Sequence, residues 1–252
     1  MAEWQMSRPR LLTLQLAQTT LVGYNRKQDG WGDSCVRCLI ISDIHSNLPA
    51  LEAVLADVQA FDEVWCLGDL VGYGPYPNEC IERIRNLPHM CIIGNHDQAA
   101  LGRIDMATFN LDARLANVWT QQQLTSDSCE FLAALPQSIE RDGFHLVHGS
   151  PRDPIWEYVI EPYVACANFR YSSAVTCLVG HSHLPLLFTL VDHRDHCDAR
   201  LWSPGDVIQL GRKRIIINPG SVGQPRDGDP RASYAILDTS DMSWRCQRVD
   251  YP

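Results

Sequence analysis

The sequence is short of positive charge. Its 252 residues include 21 lysines and arginines against 30 aspartates and glutamates, which gives a formal net charge of -9. A surface that binds a long nucleic acid needs many cationic side chains to neutralise phosphates, so this balance argues against such a partner. A small phosphorylated molecule is compatible with the charge, because bound metal cations can supply positive charge locally.

Long apolar runs are missing as well. No stretch approaches the roughly 20 apolar residues that span a bilayer, and the segment LLTLQLA near the start is interrupted by glutamine. That segment is also not followed by the small-residue cleavage site of a secretory leader. We therefore expect no membrane partner and a cytoplasmic location, whereas the oligomeric state stays open.

The ten cysteines show no repeated spacing. They are scattered through apolar segments, and the one close pair, Cys35 and Cys38, has neither a second pair nor a helix pattern after it. This distribution favours small buried side chains in a reducing compartment over a disulfide framework.

The chain divides into two parts. Residues 1–35 show no helical or alternating periodicity that persists, and we interpret them as an N-terminal extension outside the fold. Over residues 36–252 strand and helix signals alternate, which is typical of an α/β architecture. Asn47 as an N-cap and Pro49 in the first turn predict a helix after the first strand. Residues 101–135 are predicted to be helical.

The first predicted strand ends in an unusual way. Its apolar run, CLII, is followed closely by Asp43 and His45, which are two positions apart. Positions i and i+2 of a strand point the same way, so we expect the two side chains to leave the strand end together. A carboxylate and an imidazole directed to one point are typical of a metal site.

Four further apolar runs end in the same residue types. Sites in open α/β folds form beyond the carboxyl ends of strands, so residues that are distant in sequence can converge there. Each strand end taken alone is more simply explained as a capped strand end or a hydrogen-bonded core histidine. Five such ends in one chain favour a single shared site. The set comprises Asp43, His45, Asp69, Asn95, His96, Asp97, His148, His181 and His183.

Five motifs occur in order along the chain, namely DIH, GD, GNHD, VHG and GHSH. They resemble the signature of the calcineurin-like metallophosphoesterase superfamily over residues 38–252. The later segment NPGSVGQPRDGDPRASYAILD resembles the small bacterial and archaeal phosphodiesterase-like branch. The resemblance implies a four-layer αββα sandwich with two mixed β-sheets and a metal site at the carboxyl ends of the strands.

The resemblance also implies a dinuclear metal centre. Asp69 would bridge two divalent ions, with each of its two oxygens facing one cation. The ions could be manganese, iron, nickel, cobalt or zinc, since a site rich in histidine and carboxylate accepts all of them. One metal would be held by Asp43, His45, Asp69 and His183, and the other by Asp69, Asn95, His148 and His181.

The reaction implied by the resemblance is hydrolysis of a small phosphoester by attack of a metal-bound hydroxide. His96 would contact the phosphate and donate a proton to the leaving oxygen, while Asp97 would orient His96 and keep it protonated. The phosphodiesterase-like branch favours a diester substrate. A phosphomonoesterase or protein phosphatase is one alternative, and a non-catalytic metal-binding scaffold on the same fold is another.

Candidate substrate contacts lie in three loops beside the motifs. The loops after Asp69 and His148 should overhang the metals and offer aromatic faces, although packing explains these side chains about equally well. The arginines of the closing segment could pair with phosphate, but a surface loop is the simpler interpretation. The candidates are Tyr73, Tyr76, Arg152, Trp156, Tyr158, Arg226 and Arg231.

A group of histidines and a cysteine also lies between two predicted strands. The segment VDHRDHCDAR contains His193, His196 and Cys197, a combination that could suggest a metal cluster. Its polar flanks favour a solvated hairpin turn instead.

Overall fold

The computed structural model describes residues 36–192 and 196–252. The N-terminal extension, Cys35 and His193 lie outside these residues, so their interpretations stay predictions. Twelve strands form two six-stranded sheets in the described part of the chain. In chain order they are Arg37–Ile41 (β1), Glu63–Cys66 (β2), His89–Cys91 (β3), Ser138–Arg141 (β4), Phe144–Val147 (β5), Thr176–Leu178 (β6), Leu186–Asp192 (β7), His196–Leu201 (β8), Val207–Gln209 (β9), Ile215–Ile217 (β10), Ala232–Asp238 (β11) and Ser243–Val249 (β12).

Six α-helices and one 3₁₀ helix accompany these strands within residues 36–192 and 196–252. None of the described helices is long and apolar enough to cross a membrane. The side chain of Asn47 accepts a hydrogen bond from the Ala50 N–H at 3.2 Å, which confirms the predicted N-cap. The α-helices are Leu48–Asp57 (α1), Pro77–Arg85 (α2), Asn95–Ala100 (α3), Leu111–Gln123 (α4), Ser126–Ala134 (α5) and Pro162–Asn168 (α6), and the 3₁₀ helix is Met106–Thr108.

Both sheets are mixed. The first has the strand order β3-β2-β1-β11-β12-β9, in which β1, β2 and β3 run parallel and the other pairs are antiparallel. The second has the order β4-β5-β6-β10-β7-β8, in which β5, β6 and β10 run parallel. The carboxyl ends of parallel strands meet at one edge of a sheet, so each sheet contributes such an edge.

The two sheets pack face to face and helices cover their outer faces. Ile40 and Trp65 of the first sheet lie in one buried cluster with Phe144 of the second, and the Trp65 and Phe144 rings meet edge-on at 5.3 Å between centroids. On β1 the neighbours of Ile40, Leu39 and Ile41, belong to the opposite cluster, beneath α1 and α2. A strand buried on both faces needs an unbroken apolar run, which explains the CLII segment. The expected αββα sandwich is confirmed.

Four strands and two helices escaped sequence-based prediction, namely β4, β8, β9, β12, α3 and α6. Three of these strands lie at the edges of the sheets. β8 and β9 each bury only one residue, and β4 buries none fully. Edge strands that bury little apolar surface leave little hydrophobic pattern in the sequence.

Two cysteines depart from the expected free state. Cys166 of α6 and Cys197 of β8 form a disulfide with Cα atoms 5.8 Å apart. The other seven described cysteines are free, and six of these are buried as expected. The turn interpretation of His196 and Cys197 is also wrong, because both residues pair with β7 as the start of β8. Packing of α6 on this hairpin brings the two cysteines together across 31 residues of sequence.

Candidate metal centre

The seven candidate metal ligands converge from five strand ends. All of these side chains are buried, with at most 3% of their surface exposed. Three of the strands belong to the first sheet and two to the second, so the cluster lies where the carboxyl edges of both sheets meet. Asp43 and His45 follow β1, Asp69 follows β2, Asn95 begins α3 after β3, His148 follows β5, and His181 and His183 follow β6.

Five of the seven candidates have left-handed backbone geometry, with φ between 50° and 63°. Such angles are uncommon for residues other than glycine and concentrate at functional sites. Asp43 and His45 do not leave the strand end as positions i and i+2, as we expected, because β1 ends at Ile41. Their N–H groups instead donate to the carbonyls of Gly68 and Asp69, both at 3.0 Å, so a turn against the neighbouring loop aims the side chains at one point.

The first group of ligands is Asp43, His45 and His183. The Nε2 atoms of the two histidines are 3.1 Å apart, and Asp43 Oδ1 lies 3.2 Å from His183 Nε2 and 3.9 Å from His45 Nε2. Both Nδ1–H groups donate to backbone carbonyls, those of Val71 at 3.0 Å and Gln224 at 2.6 Å. With Nδ1 carrying the donated proton, each ring turns its Nε2 towards the other, and a cation between the two nitrogens would satisfy this arrangement.

The second group lies around His148. Its Nδ1–H donates to the Leu67 carbonyl at 2.8 Å, and its Nε2 is 3.0 Å from Asn95 Oδ1. His181 is oriented the other way, because its Nε2–H donates to the Trp156 carbonyl at 3.2 Å. The nitrogen left free for a metal is consequently Nδ1, and His181 has a ring nitrogen within 4.8 Å of the ligand atoms of His148 and Asp69.

Asp69 stands between the two groups. Its Oδ2 lies 3.7 Å from His45 Nε2 and 3.3 Å from His148 Nε2, whereas its Oδ1 accepts the backbone N–H of His96 at 2.9 Å. The expectation that each oxygen faces one cation is therefore wrong: Oδ2 alone faces both groups. Gly94 makes this position possible, because a Cβ there would lie 2.0 Å from Asp69 Oδ1.

The charges of this cluster fit divalent cations. Burial acts to raise the pKa values of Asp43 and Asp69, but the attraction of His183 and His148 respectively outweighs it and lowers both pKa values. Both carboxylates are thus ionised, yet Asp43 Oδ1 and Asp69 Oδ2 have no hydrogen-bond partner among the described residues. Ionised oxygens without partners are costly in a buried site, and a metal ion would satisfy them. The residues present therefore fit a metal centre.

His96 is held by a residue that the motifs did not indicate. Its Nδ1 lies 2.8 Å from Nδ2 of Asn117 on α4, and the same Nδ2 donates to the Ala113 carbonyl at 2.9 Å. An amide nitrogen so placed donates to Nδ1 as well, which puts the proton of neutral His96 on Nε2. An Nε2 that carries a proton has no lone pair for a metal, although it lies near His45 and Asp69.

The predicted support of His96 by Asp97 is wrong. Both oxygens of Asp97 accept backbone N–H groups, from Asp69 and Gly94 at 2.9 Å and from Val71 at 3.1 Å. Asp97 therefore fixes the loop that carries Asp69. The expectation of a protonated His96 fails too, since burial lowers its pKa to about 4 despite the opposing charge of Asp69. Its ring is neutral at pH 7.

Asn117 could have been noticed in the sequence as a polar residue on the buried face of a helix, between Ala113 and Thr120. We expect Asn117→Leu to leave metal content unchanged and to lower kcat about ten- to a hundredfold, the range for loss of an orienting hydrogen bond. The measurement is the rate on a phosphodiester together with metal content. Thr120→Val on the same helix face is the control, and an equal loss in that variant would assign the effect to helix packing.

A cavity of about 310 Å³ opens over the candidate ligands. Four of the candidate substrate contacts line it, namely Tyr73, Trp156, Tyr158 and Arg226. Another part of the wall runs from the end of the 3₁₀ helix to the first turn of α4, and we did not predict that this stretch contacts the substrate. Its residues in the cavity are Thr108, Phe109, Asn110 and Ala113.

The other loop candidates lie elsewhere. Arg152 is not part of the cavity wall, because its guanidinium pairs with Glu157. Arg231 pairs with Asp229, with Nη2 and Oδ2 2.7 Å apart, as expected for a surface loop. Tyr76 precedes α2 and does not line this cavity either. Of the two closing-segment arginines, only Arg226 reaches the site.

Comparison with known proteins decides the family. The model of the calcineurin-like phosphoesterase superfamily domain matches residues 36–242. The chain belongs to this superfamily. It is accordingly a metal-dependent hydrolase of phosphoric esters.

Three relatives illustrate this family membership. A metallophosphoesterase from Sphaerobacter thermophilus has a crystal structure that matches with a TM-score of 0.80 and 45% identity, over 87% of this chain and 90% of that one. The uncharacterized protein MJ0912 of Methanocaldococcus jannaschii is 40% identical over 84% of this chain and 86% of its own length. The phosphodiesterase YfcE of Escherichia coli is 26% identical over 82% and 90%.

Proposed function

We propose that this hydrolase is a phosphodiesterase that acts on a small phosphoester at two divalent metal ions. The observation that carries the proposal is the pair of buried, ionised carboxylates, whose unpartnered oxygens face the ring nitrogens of the histidines. The relative YfcE is named a phosphodiesterase, which supports a diester as the substrate. Arg226, the one guanidinium among the described cavity-lining residues, can pair with an oxygen of the ester.

The residues divide naturally between two ions. Asp69 would be shared through Oδ2, and its position between the two histidine groups supports this role. The donor set of imidazoles, carboxylates and an amide oxygen suits manganese, iron, nickel, cobalt and zinc. One ion would be held by Asp43, His45, Asp69 and His183, and the other by Asp69, Asn95, His148 and His181.

The metal ions, when bound, polarise the phosphoryl oxygens and lower the pKa of bound water towards neutrality. The protein's own contribution is to position the ester and to donate one hydrogen bond to the leaving oxygen. Nε2–H of His96 donates to the leaving oxygen as charge develops on it, since Asn117 holds Nδ1. Arg226 binds a phosphate oxygen at the mouth of the cavity.

The function is tested by comparing bis-p-nitrophenyl phosphate with p-nitrophenyl phosphate, using protein freed of metal by chelation and then supplied with manganese. We expect turnover to require metal and kcat/KM to be higher for the diester. A higher value for the monoester would support the phosphomonoesterase or protein phosphatase alternative. No turnover of either ester with manganese, iron, nickel, cobalt or zinc would support the metal-binding scaffold. Asp43→Asn, which removes one ligand charge, is the inactive control.

The cytoplasmic location stays a prediction. The six buried free cysteines agree with the reducing compartment on which it was based, whereas the Cys166–Cys197 disulfide counts against that compartment. We still expect no long nucleic acid as a partner, because the chain has little positive charge. We also expect no membrane partner, because the sequence has no long apolar run.

A further inference from the structure

The wall of the cavity is unusually aromatic beyond the candidate metal ligands. Four rings line it, contributed by three separate segments: Tyr73 after β2, Phe109 before α4, and Trp156 and Tyr158 after β5. Trp156 and Tyr158 are 37% and 45% exposed, although both belong to an otherwise closely packed site. Large apolar rings left exposed in a concave site are typical of ligand-binding surfaces.

The rings are held in place by contacts with one another and with the site. Phe109 meets Trp156 edge-on, with centroids 5.5 Å apart, and meets His96 edge-on at 4.9 Å. Tyr158 stacks on His181 with centroids 3.9 Å apart and planes 13° from parallel. The aromatic wall is therefore continuous with the residues that would hold the metal and with His96, which would donate a hydrogen bond to the leaving oxygen.

Beyond the candidate metal-site residues the wall has four aromatic rings, and its polar side-chain groups are the hydroxyls of Thr108 and the two tyrosines, the Trp156 N–H, Asn110 and Arg226. Asn110 lines it, but its side-chain oxygen accepts the Ala113 N–H at 2.8 Å as the N-cap of α4. Arg226 lies next to Tyr158, and its Nη2 also donates to Gln224 Oε1 at 2.7 Å. The wall consequently offers ring faces and edges, which recognise flat aromatic groups by stacking and by edge-to-face contact.

We propose that the ester this site hydrolyses carries a planar aromatic substituent, which binds against Trp156 and Phe109 while the phosphate lies over the metal ligands. The inference rests on the proposed phosphodiesterase function and adds the substrate class. A nucleobase and a simple aryl group share this chemistry. Stacking of a base on an aromatic side chain strengthens binding by about five- to 150-fold.

The test compares two esters with the same leaving group. Bis-p-nitrophenyl phosphate and methyl p-nitrophenyl phosphate both release p-nitrophenolate, but only the first retains an aromatic substituent. The measured quantity is kcat/KM for bis-p-nitrophenyl phosphate divided by kcat/KM for methyl p-nitrophenyl phosphate, after each value is corrected for the intrinsic reactivity of its ester. We expect this ratio to fall about tenfold in Trp156→Leu and to be largely kept in Trp156→Phe. Trp119→Ala, a 40% exposed tryptophan of α4 outside the cavity, should leave it unchanged.

A binding experiment separates this inference from the proposed function. Calorimetry on the manganese-loaded protein compares phenyl phosphate with methyl phosphate, and we expect phenyl phosphate to bind about tenfold more tightly, a preference that Trp156→Leu abolishes. Diester turnover with equal affinity for the two phosphates and an unchanged ratio in Trp156→Leu would overturn the aromatic subsite alone. A clear preference for phenyl phosphate without turnover of any diester would overturn the phosphodiesterase and keep the subsite.

Discussion

Asp69→Ala should lose both metal ions on dialysis, whereas Asn95→Ala should keep at least one. The reason is that Asp69 Oδ2 faces both ligand groups and carries the negative charge between them, while Asn95 offers one neutral oxygen to the second group. The measurement is the metal content per chain by mass spectrometry after dialysis against metal-free buffer. We expect activity to fall with the metal.

Asp69→Asn is the matched variant for this experiment. It can keep the hydrogen bond that Oδ1 accepts from the His96 N–H and removes only the charge, so it tests the charge without disturbing the loop. A circular dichroism spectrum like that of the unmodified protein would exclude misfolding as the cause. Retention of both metals by Asp69→Ala would contradict the shared position of Asp69.

His96→Ala should keep both metals and lose rate, by a factor on the order of 10²–10³ as for loss of one hydrogen-bond donor to the charge that develops on the leaving oxygen. The structure supports this separation, because the Nε2 of His96 carries the proton and cannot also donate a lone pair to a metal. The loss should be smaller for a p-nitrophenyl ester than for the corresponding phenyl ester. The better leaving group develops a more stable anion and gains less from a hydrogen-bond donor.

The measurement for His96 is a pair of rate constants for these two esters, with metal content determined on the same samples. Equal losses on both esters would make His96 a residue that positions the phosphate. Loss of a metal ion would instead make it a ligand, a possibility raised by its proximity to His45 and Asp69. Comparison with Asn117→Leu would then show whether the helix-borne amide acts through His96.

The cluster of candidate metal ligands could be predicted from the sequence because each member follows a buried apolar run. The runs before Asp43, Asp69, Asn95, His148 and His181 are buried on both faces, so their ends are clear in the pattern, and parallel strands direct these ends to the same edge. The predicted α/β sandwich follows from the same alternation of apolar runs with helix signals. These features depend on local pattern and on general rules of sheet topology.

The partners of these residues were decided only by the tertiary structure. The His96 N–H occupies Oδ1 of Asp69, so its position decides that Oδ2 faces the two ligand groups. The position of the proton on the His96 ring depends on Asn117, 21 residues further along the chain. Asp97 and His96 are neighbours in sequence, yet the first turn of α3 directs the Asp97 carboxylate to backbone N–H groups of other segments. Sequence adjacency carries no information on such directions.

The same distinction holds for the substrate loops and the cysteines. Arg152 and Trp156 come from one loop, but a neighbouring carboxylate, Glu157, pairs with the arginine, while the tryptophan packs against Phe109 from a distant segment. Cys166 and Cys197 meet only because α6 packs on the β7–β8 hairpin. By itself the sequence determined the fold class and the set of candidate metal ligands, since both follow from strand periodicity and residue type. Side-chain direction and long-range pairing came from packing, because they depend on contacts between segments that no local pattern encodes.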